Sequence, residues 1–408
     1  MNIGIHSETG HLKKVIVHTP GREVSLVNPE MKDELLFDDI IFEEDARMEH
    51  RDMQKVLQAA MPEDGEILEI RDLAVETMSD PDARSYFIDR LIHELPHQNL
   101  HVLENELMDF PPEKLIEFII EGSGTSAKAF TLPPTPNLLF TRDLAAVVGN
   151  QIILSRAAKK ARMREFLLMD TVVSYHPVFG DSHTKTLRIH GSQTLEGGDV
   201  IVASEKVVLI GMSERTSFTG LMAVTETLLS GGVEHIVAVD IPKKRSSMHL
   251  DTIFTFANKD ECIVFSPDIE ELTHNVVVLS SDGDQIITRS EPTLKGTLEE
   301  LLGYPITFIR CGGEDRTNQF REQWTDGANV FALAPGVILG YERNTKTFNS
   351  LIEHGYRYMN QYEFIEEYGD KPFYPESEGK MAITFQGNEL CRGRGGARCM
   401  TLPILRKN

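Results

Sequence analysis

A unit recurs along this chain and limits its fold more than any other feature does. A polar residue is followed by two apolar, strand-like runs separated by a turn, and then by a helix-like segment. Four copies begin at Asp143 (DLAAVVGNQIILSRAAKKAR), Asp199 (DVIVASEKVVLIGMSERTS), Asp251 (DTIFTFANKDECIVFSPDIEE) and Asn329 (NVFALAPGVILGYERNTKTFN). Gly149-Asn150, Ser204-Glu205, Asn258-Lys259-Asp260 and Pro335-Gly336 supply a β-hairpin turn in each. Near the start, Gly10 to Gly21 places a β-branched run between a Gly and a Pro-Gly turn, and with the C-terminal tail it can complete a fifth unit. Short hairpin units bury their edges best around an axis, so the expectation is an α/β fold closed as a radial array.

One stretch departs from this texture. Glu43 to Ala60 spaces Ala46, Met53, Leu57 and Ala60 as an amphipathic helix leading to a strand near Glu66 to Ile70. From Asp72 to about Gly122 strand signals vanish. Asp80-Pro81 reads as an N-cap and first helical position, with Phe87, Leu91 and Leu95 following on one face. Pro111-Pro112 opens a second run with Leu115, Phe118 and Ile119 on one side, closed by Gly122. The expectation is a helical subdomain, residues 72–123, inserted in a catalytic fold that spans residues 1–408.

Units that share an axis point their equivalent residues at it. Asp143, Asp199, Asp251 and Asn329 hold that place, and gathered carboxylates repel each other unless a cation lies between them. No H-E-x-x-H, Cys/His cluster or EF-hand loop is present, and His249-Leu250-Asp251, read as strand, places a His and an Asp on one face by alternation alone. A guanidinium fits better than a metal, because its planar fork of N–H donors pairs bidentately with carboxylates. Neither metal nor organic cofactor is expected.

Charge and cysteine usage narrow the partners. The formal net charge of -22 speaks against nucleic acid, whose binding draws on clustered Lys and Arg. Cys262, Cys311, Cys391 and Cys399 form no C-x-x-C pair or disulfide framework, which suits a reducing cytoplasm. Met1 to His6 lacks a signal-peptide pattern and no apolar run approaches membrane-span length, so no membrane partner is expected.

An ordered set of motifs resembles the arginine deiminases of the guanidino-group-modifying superfamily. It comprises Ser7-Glu8-Thr9-Gly10-His11-Leu12-Lys13, Leu35-Leu36-Phe37-Asp38-Asp39, Glu49-His50, Pro136 to Asp143, Glu196-Gly197-Gly198-Asp199 and His249 to Thr252. Arg321 to Asn329 and Gly393 to Met400 complete it. The resemblance implies a pentein-like, five-bladed αβ propeller of ββαβ units with pseudo-five-fold symmetry and a helical insertion after the first blade. It implies hydrolysis of free arginine to citrulline and ammonia, and we also expect a homo-oligomer. Arginine dihydrolase and other guanidino-group hydrolases are the enzyme alternatives; a non-catalytic propeller that only binds is the alternative from another class.

The same resemblance distributes roles. Cys399 is the candidate nucleophile; it lies in a Gly-rich segment beside Arg394 and Arg398, and positive neighbours lower a thiol pKa. His249 is the candidate acid and base, since imidazole titrates in the needed range, and Glu196 would hold it by a hydrogen bond. Asp143 and Asp251 would take the guanidinium fork. Asn137, Arg162, Arg215, Gly393 and Arg394 match positions for the amino-acid end, and Phe140 resembles an apolar wall.

Overall fold

The computed structural model describes residues 3–94, 104–122, 132–180, 185–283 and 285–407. All four expected hairpins are present as antiparallel pairs. They are Ala145–Val148 with Gln151–Leu154, Val200–Val202 with Val207–Met212, Phe254–Phe256 with Glu261–Val264, and Phe331–Ala334 with Val337–Tyr341. Nearly every residue of these strands is buried, as continuous apolar runs require when both faces of a sheet are covered. A helical segment then returns the chain to a strand that runs parallel to the second hairpin strand. Met163–Tyr175 leads to Lys185–Arg188, Phe218–Ser230 to His235–Asp240, and Leu294–Leu302 to Thr307–Arg310. In the fourth unit Met381–Phe385 takes this place, with Arg357–Asn360 at its outer edge.

The fifth unit draws on both ends of the chain. His11–Val17 pairs antiparallel with Leu402–Lys407 and, after helix Glu43–Ala60, parallel with Glu66–Glu69. Ala46, Met53, Leu57 and Ala60 face inward on that helix, as their spacing requires. The described strands thus form five separate sheets of three to five strands in an α/β fold, and no sheet closes on itself.

Between Ile70 and Gly122 the described residues are helical: Ile70–Thr77, Pro81–Glu94, Glu104–Asp109 and Pro112–Glu121. Asp80 caps the second of these by accepting from the amides of Asp82 (2.8 Å) and Ala83 (3.3 Å). Gly122 ends the last at φ 74°, where a Cβ would sit 2.0 Å from the Leu132 carbonyl oxygen. Leu95 and residue 123, both part of the expected insert, lie outside the described residues. Phe87, Leu91, Leu115, Phe118 and Ile119 are buried in the same core as Ile152, Phe166 and Val172, so these helices share the core of the first hairpin unit.

What places the site is the start of each unit. Thr141–Leu144, Gly197–Asp199 and Leu250–Thr252 are single 3-10 turns ahead of their strands. The strand reading of His249-Leu250-Asp251 is therefore corrected: the apolar run supports a strand only from Phe254, and the polar residues ahead of it turn. These turns touch. A Cβ on Gly197 would lie 2.2 Å from the Arg142 carbonyl oxygen, and one on Gly198 would lie 2.8 Å from Cγ of His249. The Gly-Gly pair lets three turns converge and brings Asp143, Asp199 and Asp251 together.

Candidate active site

Cys399 follows a loop that only small residues can build. A Cβ on Gly395 would come 2.3 Å from the Phe140 ring, and one on Gly396 would come 2.6 Å from the Asn329 carbonyl oxygen. The Cys399 amide donates to Oδ1 of Asn329 at 3.0 Å, and its Sγ lies 3.9 Å from Oδ2 of Asp251. Nine of the eleven residues singled out in the sequence line one pocket: Asn137, Phe140, Asp143, Arg162, Arg215, His249, Gly393, Arg394 and Cys399. Asp251 and Glu196 stand directly behind it. A larger hollow near Glu34, His93 and Arg156 is lined by no cysteine.

One expectation about Cys399 is overturned. Burial pushes its thiol well above the ordinary range, the charges of Asp251, Asp143 and Asp326 push it further, and Arg398 only partly offsets them. The reason is where the arginines spend their charge. Arg398 donates to Asp251 (2.7 Å), Glu8 (2.8 Å) and the Val200 carbonyl (2.9 Å). Arg394, in a left-handed conformation at φ 66°, donates to the Trp324 carbonyl and lies over the Trp324 ring. The protein's own charges around Cys399 therefore disfavour a thiolate. Burial likewise raises the thiols of Cys262, Cys311 and Cys391.

His249 is clasped by acids. Its Nε2 lies 2.9 Å from Oε2 of Glu196, and its Nδ1 lies 3.7 Å from Oδ1 of Asp143. Burial alone would lower its pKa, but the Asp143 charge, the hydrogen bond to Glu196 and the charge of Asp199 raise it to about 9. Glu196 is held low against its own burial by His249 and Arg215. At neutral pH the imidazole is an imidazolium, a proton donor. Asp143, Glu196 and His249 also bring three potential metal-ligand atoms within 4.8 Å of one another. Arg162 donates to Asp143 and approaches Glu196 at 3.9 Å, and that fixed positive charge opposes a metal ion in the same place.

The four equivalent unit starts divide in two. Asp199 is fully engaged by the hydroxyls of Ser213 and Thr216 (2.6 Å each) and the Leu250 amide (2.8 Å). Asn329 ties Cys399 to the Asp251 carbonyl. Asp143 and Asp251 each keep one buried oxygen, Oδ1, with no hydrogen-bond partner among the described residues. Two unfilled acceptors near a sulfur match the donor fork of a guanidinium.

At the other end of the pocket the arginines differ in availability. Arg162 is spent on Asp143, on Glu165 (2.8 Å) and on the Asn137 carbonyl (3.0 Å). Arg215 meets Glu196 only at 3.8 Å, and Nε of both Arg215 and Arg394 has no hydrogen-bond partner among the described residues. Asn137 donates to the Leu35 carbonyl at 2.7 Å. Leu36, Arg245, Met248 and Thr252 also line the pocket and were not anticipated. Leu36 and Thr252 carried a signal, since both stand in quoted motifs, and Arg245 lies four residues before His249.

Comparison with known proteins agrees with this geometry. The family model described as Arginine deiminase matches residues 33–406. A protein named arginine deiminase from Listeria monocytogenes serotype 4b is 33% identical over 432 aligned positions, covering 100% of this chain and 98% of the relative. The chain belongs to the arginine deiminase family. Among solved structures, it resembles SxtG, an amidinotransferase from Microseira wollei, with a TM-score of 0.57 at 12% identity, covering 100% and 98% of the two chains. It also resembles the N-terminal domain of ArgZ, an arginine dihydrolase from Cyanobacteria, with a TM-score of 0.54 at 12% identity over 97% and 98%. These likenesses place the arginine deiminase family member in the pentein fold.

Proposed function

We propose that this protein hydrolyses free arginine to citrulline and ammonia through a covalent intermediate on Cys399. It is a hydrolase of the C–N bonds of amidines, as its family membership states. The observation that carries the mechanism is the pair of unpartnered oxygens on Asp143 and Asp251 beside a buried thiol and a charged imidazole.

A guanidinium seated there brings positive charge against the same acids that raise the Cys399 pKa, and so it favours release of the thiol proton to solvent and formation of the thiolate in the act of binding. The thiolate attacks the guanidinium carbon, forming a C–S bond and a tetrahedral centre. His249 gives its proton to the departing nitrogen, the C–N bond breaks, and ammonia leaves an amidino-thioether. Neutral His249 then takes a proton from water, whose oxygen attacks the same carbon. Collapse breaks the C–S bond, releases citrulline and restores the thiol. Glu196 orients the imidazole, and Arg162 steadies Asp143. Arg215, Arg394, Asn137 and Gly393 serve the amino-acid end, and Phe140 walls the aliphatic stem.

We also read the five ββαβ units as blades about one axis, with residues 72–123 inserted after the first. Contact between the turns that carry Asp143, Asp199 and Asp251 supports that reading. No helix among the described residues is long and apolar enough to cross a membrane, and we take the working site to be the cytoplasm. The dihydrolase alternative shares the first chemistry and differs in its product. Incubation with arginine should give citrulline and one ammonia, and ornithine with two would favour the dihydrolase. Cys399→Ala should bind arginine by calorimetry yet show no turnover; turnover in that variant would exclude covalent catalysis by this sulfur.

A further inference from the structure

In a chain of net charge -22, a place where cations outnumber acids is an exception that calls for a reason. One lies beside helices Pro81–Glu94 and Met163–Tyr175. There a hollow of about 380 Å³ is bordered, among the described residues, by Arg90, Arg156, Arg188 and His190 but by only two acids, Asp170 and Glu94. Asp170 is already taken. Arg90 and the Tyr86 hydroxyl (3.0 Å) both donate to its Oδ2, and Nε of Arg188 donates to its Oδ1 at 3.0 Å. Glu94 stands 3.8 Å from Nη2 of Arg90. The side chains of Arg90 and Arg188 are 33% and 37% exposed, so part of each guanidinium remains open. Arg156, half-buried, has no side-chain partner among the described residues. Ser155 also borders the hollow, and its buried hydroxyl has no hydrogen-bond partner among the described residues.

We propose that this hollow is a second binding site, for a phosphomonoester, and that its occupation is felt at the catalytic acids. The donors arrive from a helix (Arg90), a strand (Arg188) and a loop (Arg156). Three directions suit the three free oxygens of a phosphate better than the two of a carboxylate, and a guanidinium fork pairs with phosphate bidentately. Met163, Phe166 and Ile189 give the hollow an apolar wall for the organic part of the ester. The link to catalysis runs through the segment that carries Arg156. Its amide donates to the Leu195 carbonyl at 2.9 Å, next to Glu196, and the Ala158 amide donates to Oε1 of Glu196 at 3.1 Å. Further along the same segment, Arg162 holds Asp143. A shift of Arg156 toward a bound phosphate therefore acts on both acids that clasp His249. It does so from outside, since the hollow and the pocket that holds Cys399 share no lining residue. This coupling, unlike the site itself, rests on the reading that His249 acts on arginine.

Phenyl phosphate is the probe, followed by calorimetry in the absence of arginine. It should bind with a Kd below about 1 mM, and inorganic phosphate and benzoate should each bind about tenfold more weakly, the one lacking the ring and the other the third oxygen. Arg156→Gln should weaken the binding of phenyl phosphate at least about tenfold, and Arg156→Lys, which keeps the charge without the fork, about threefold. Both variants should melt within about 2 °C of the wild type. Lys159→Gln is the control, because Lys159 lies on the same segment, pairs with Glu214 at 2.8 Å and does not border the hollow; it should leave the Kd unaltered. Saturating phenyl phosphate should change kcat/KM for arginine at least about twofold in the wild type and have no such effect on Arg156→Gln. Equal binding by the wild type and Arg156→Gln overturns the site, and competition of that binding with arginine would put the anion in the catalytic pocket instead. Benzoate that binds as tightly as phenyl phosphate overturns the phosphate assignment, and binding with no effect on turnover overturns the link to the acids. A wild-type protein that binds phenyl phosphate through Arg156 yet forms no citrulline defeats the functional reading and leaves the site standing.

Discussion

In the proposed mechanism Asp143 and Glu196 together set the pH range over which His249 acts as an acid. With the imidazole raised to about 9, kcat/KM should decline as pH climbs through that value and the proton donor is lost. Replacing Glu196 by Gln removes a partner that favours the charged ring, so the alkaline limb should move to lower pH and kcat should fall about 100-fold or more. A pH–rate profile that keeps its alkaline limb in Glu196→Gln would remove Glu196 from this role. The same shift bears on stability. A histidine raised in the folded state stabilises fully below its ordinary pKa of 6.5, and the contribution disappears as pH rises through about 9. At this scale the sequence was informative about identity and poor about charge. Cys399, His249 and the two acids could be picked out by motif and by their equivalent places in the units. The direction of the Cys399 shift could not, because it comes first from burial and then from three acids, while Arg398, which would offset them, is paired with Glu8, a residue 390 positions away. Ion pairing across such a separation leaves no periodicity or spacing to read.

The Gly197–Asp199 turn shows what an element contributes that its residues do not reveal singly. Hydrophobic runs and turn residues marked the hairpins of the four units, because burial and backbone geometry act locally and leave a pattern, while the half-exposed hairpin of Val276–Asp282 with Gln285–Glu291 went unread. The 3-10 turns ahead of the strands left none, since their conformation is fixed by neighbouring turns packed against them. Gly198→Ala tests this. Its Cβ would press on the His249 ring at 2.8 Å and on Oδ1 of Asp143 at 3.1 Å, and a displacement approaching 1 Å in the acid should cost about 100-fold in kcat. Melting temperature should change far less than activity, because no core side chain is lost. A variant with normal kcat would show that the ring can yield without consequence.

Across the whole molecule, the pairing of His11–Val17 with Leu402–Lys407 joins the N-terminal run to the C-terminal tail, as expected of a fifth unit, although no pattern in the tail gave its register. Leu402 and Ile404 are fully buried there, and each such side chain contributes about 1.5–3 kcal/mol. Against a typical total of about 5–15 kcal/mol, deleting residues 402–407 should leave little cooperative unfolding by calorimetry. A deletion variant that melts near the wild-type temperature would mean that this sheet is dispensable. The helices between Ile70 and Gly122 were legible as helices because their caps are local, yet their sharing of one core with the first hairpin unit was not.

That terminal pairing has a consequence during synthesis. The strand that begins near residue 11 must wait, with one edge unfilled, until residues 402–407 have left the ribosome, and the sulfur at position 399 emerges just ahead of them. The proposed nucleophile and the strand that completes the terminal sheet are therefore made together, so that on the proposed mechanism activity should appear only once the two ends of the chain have met.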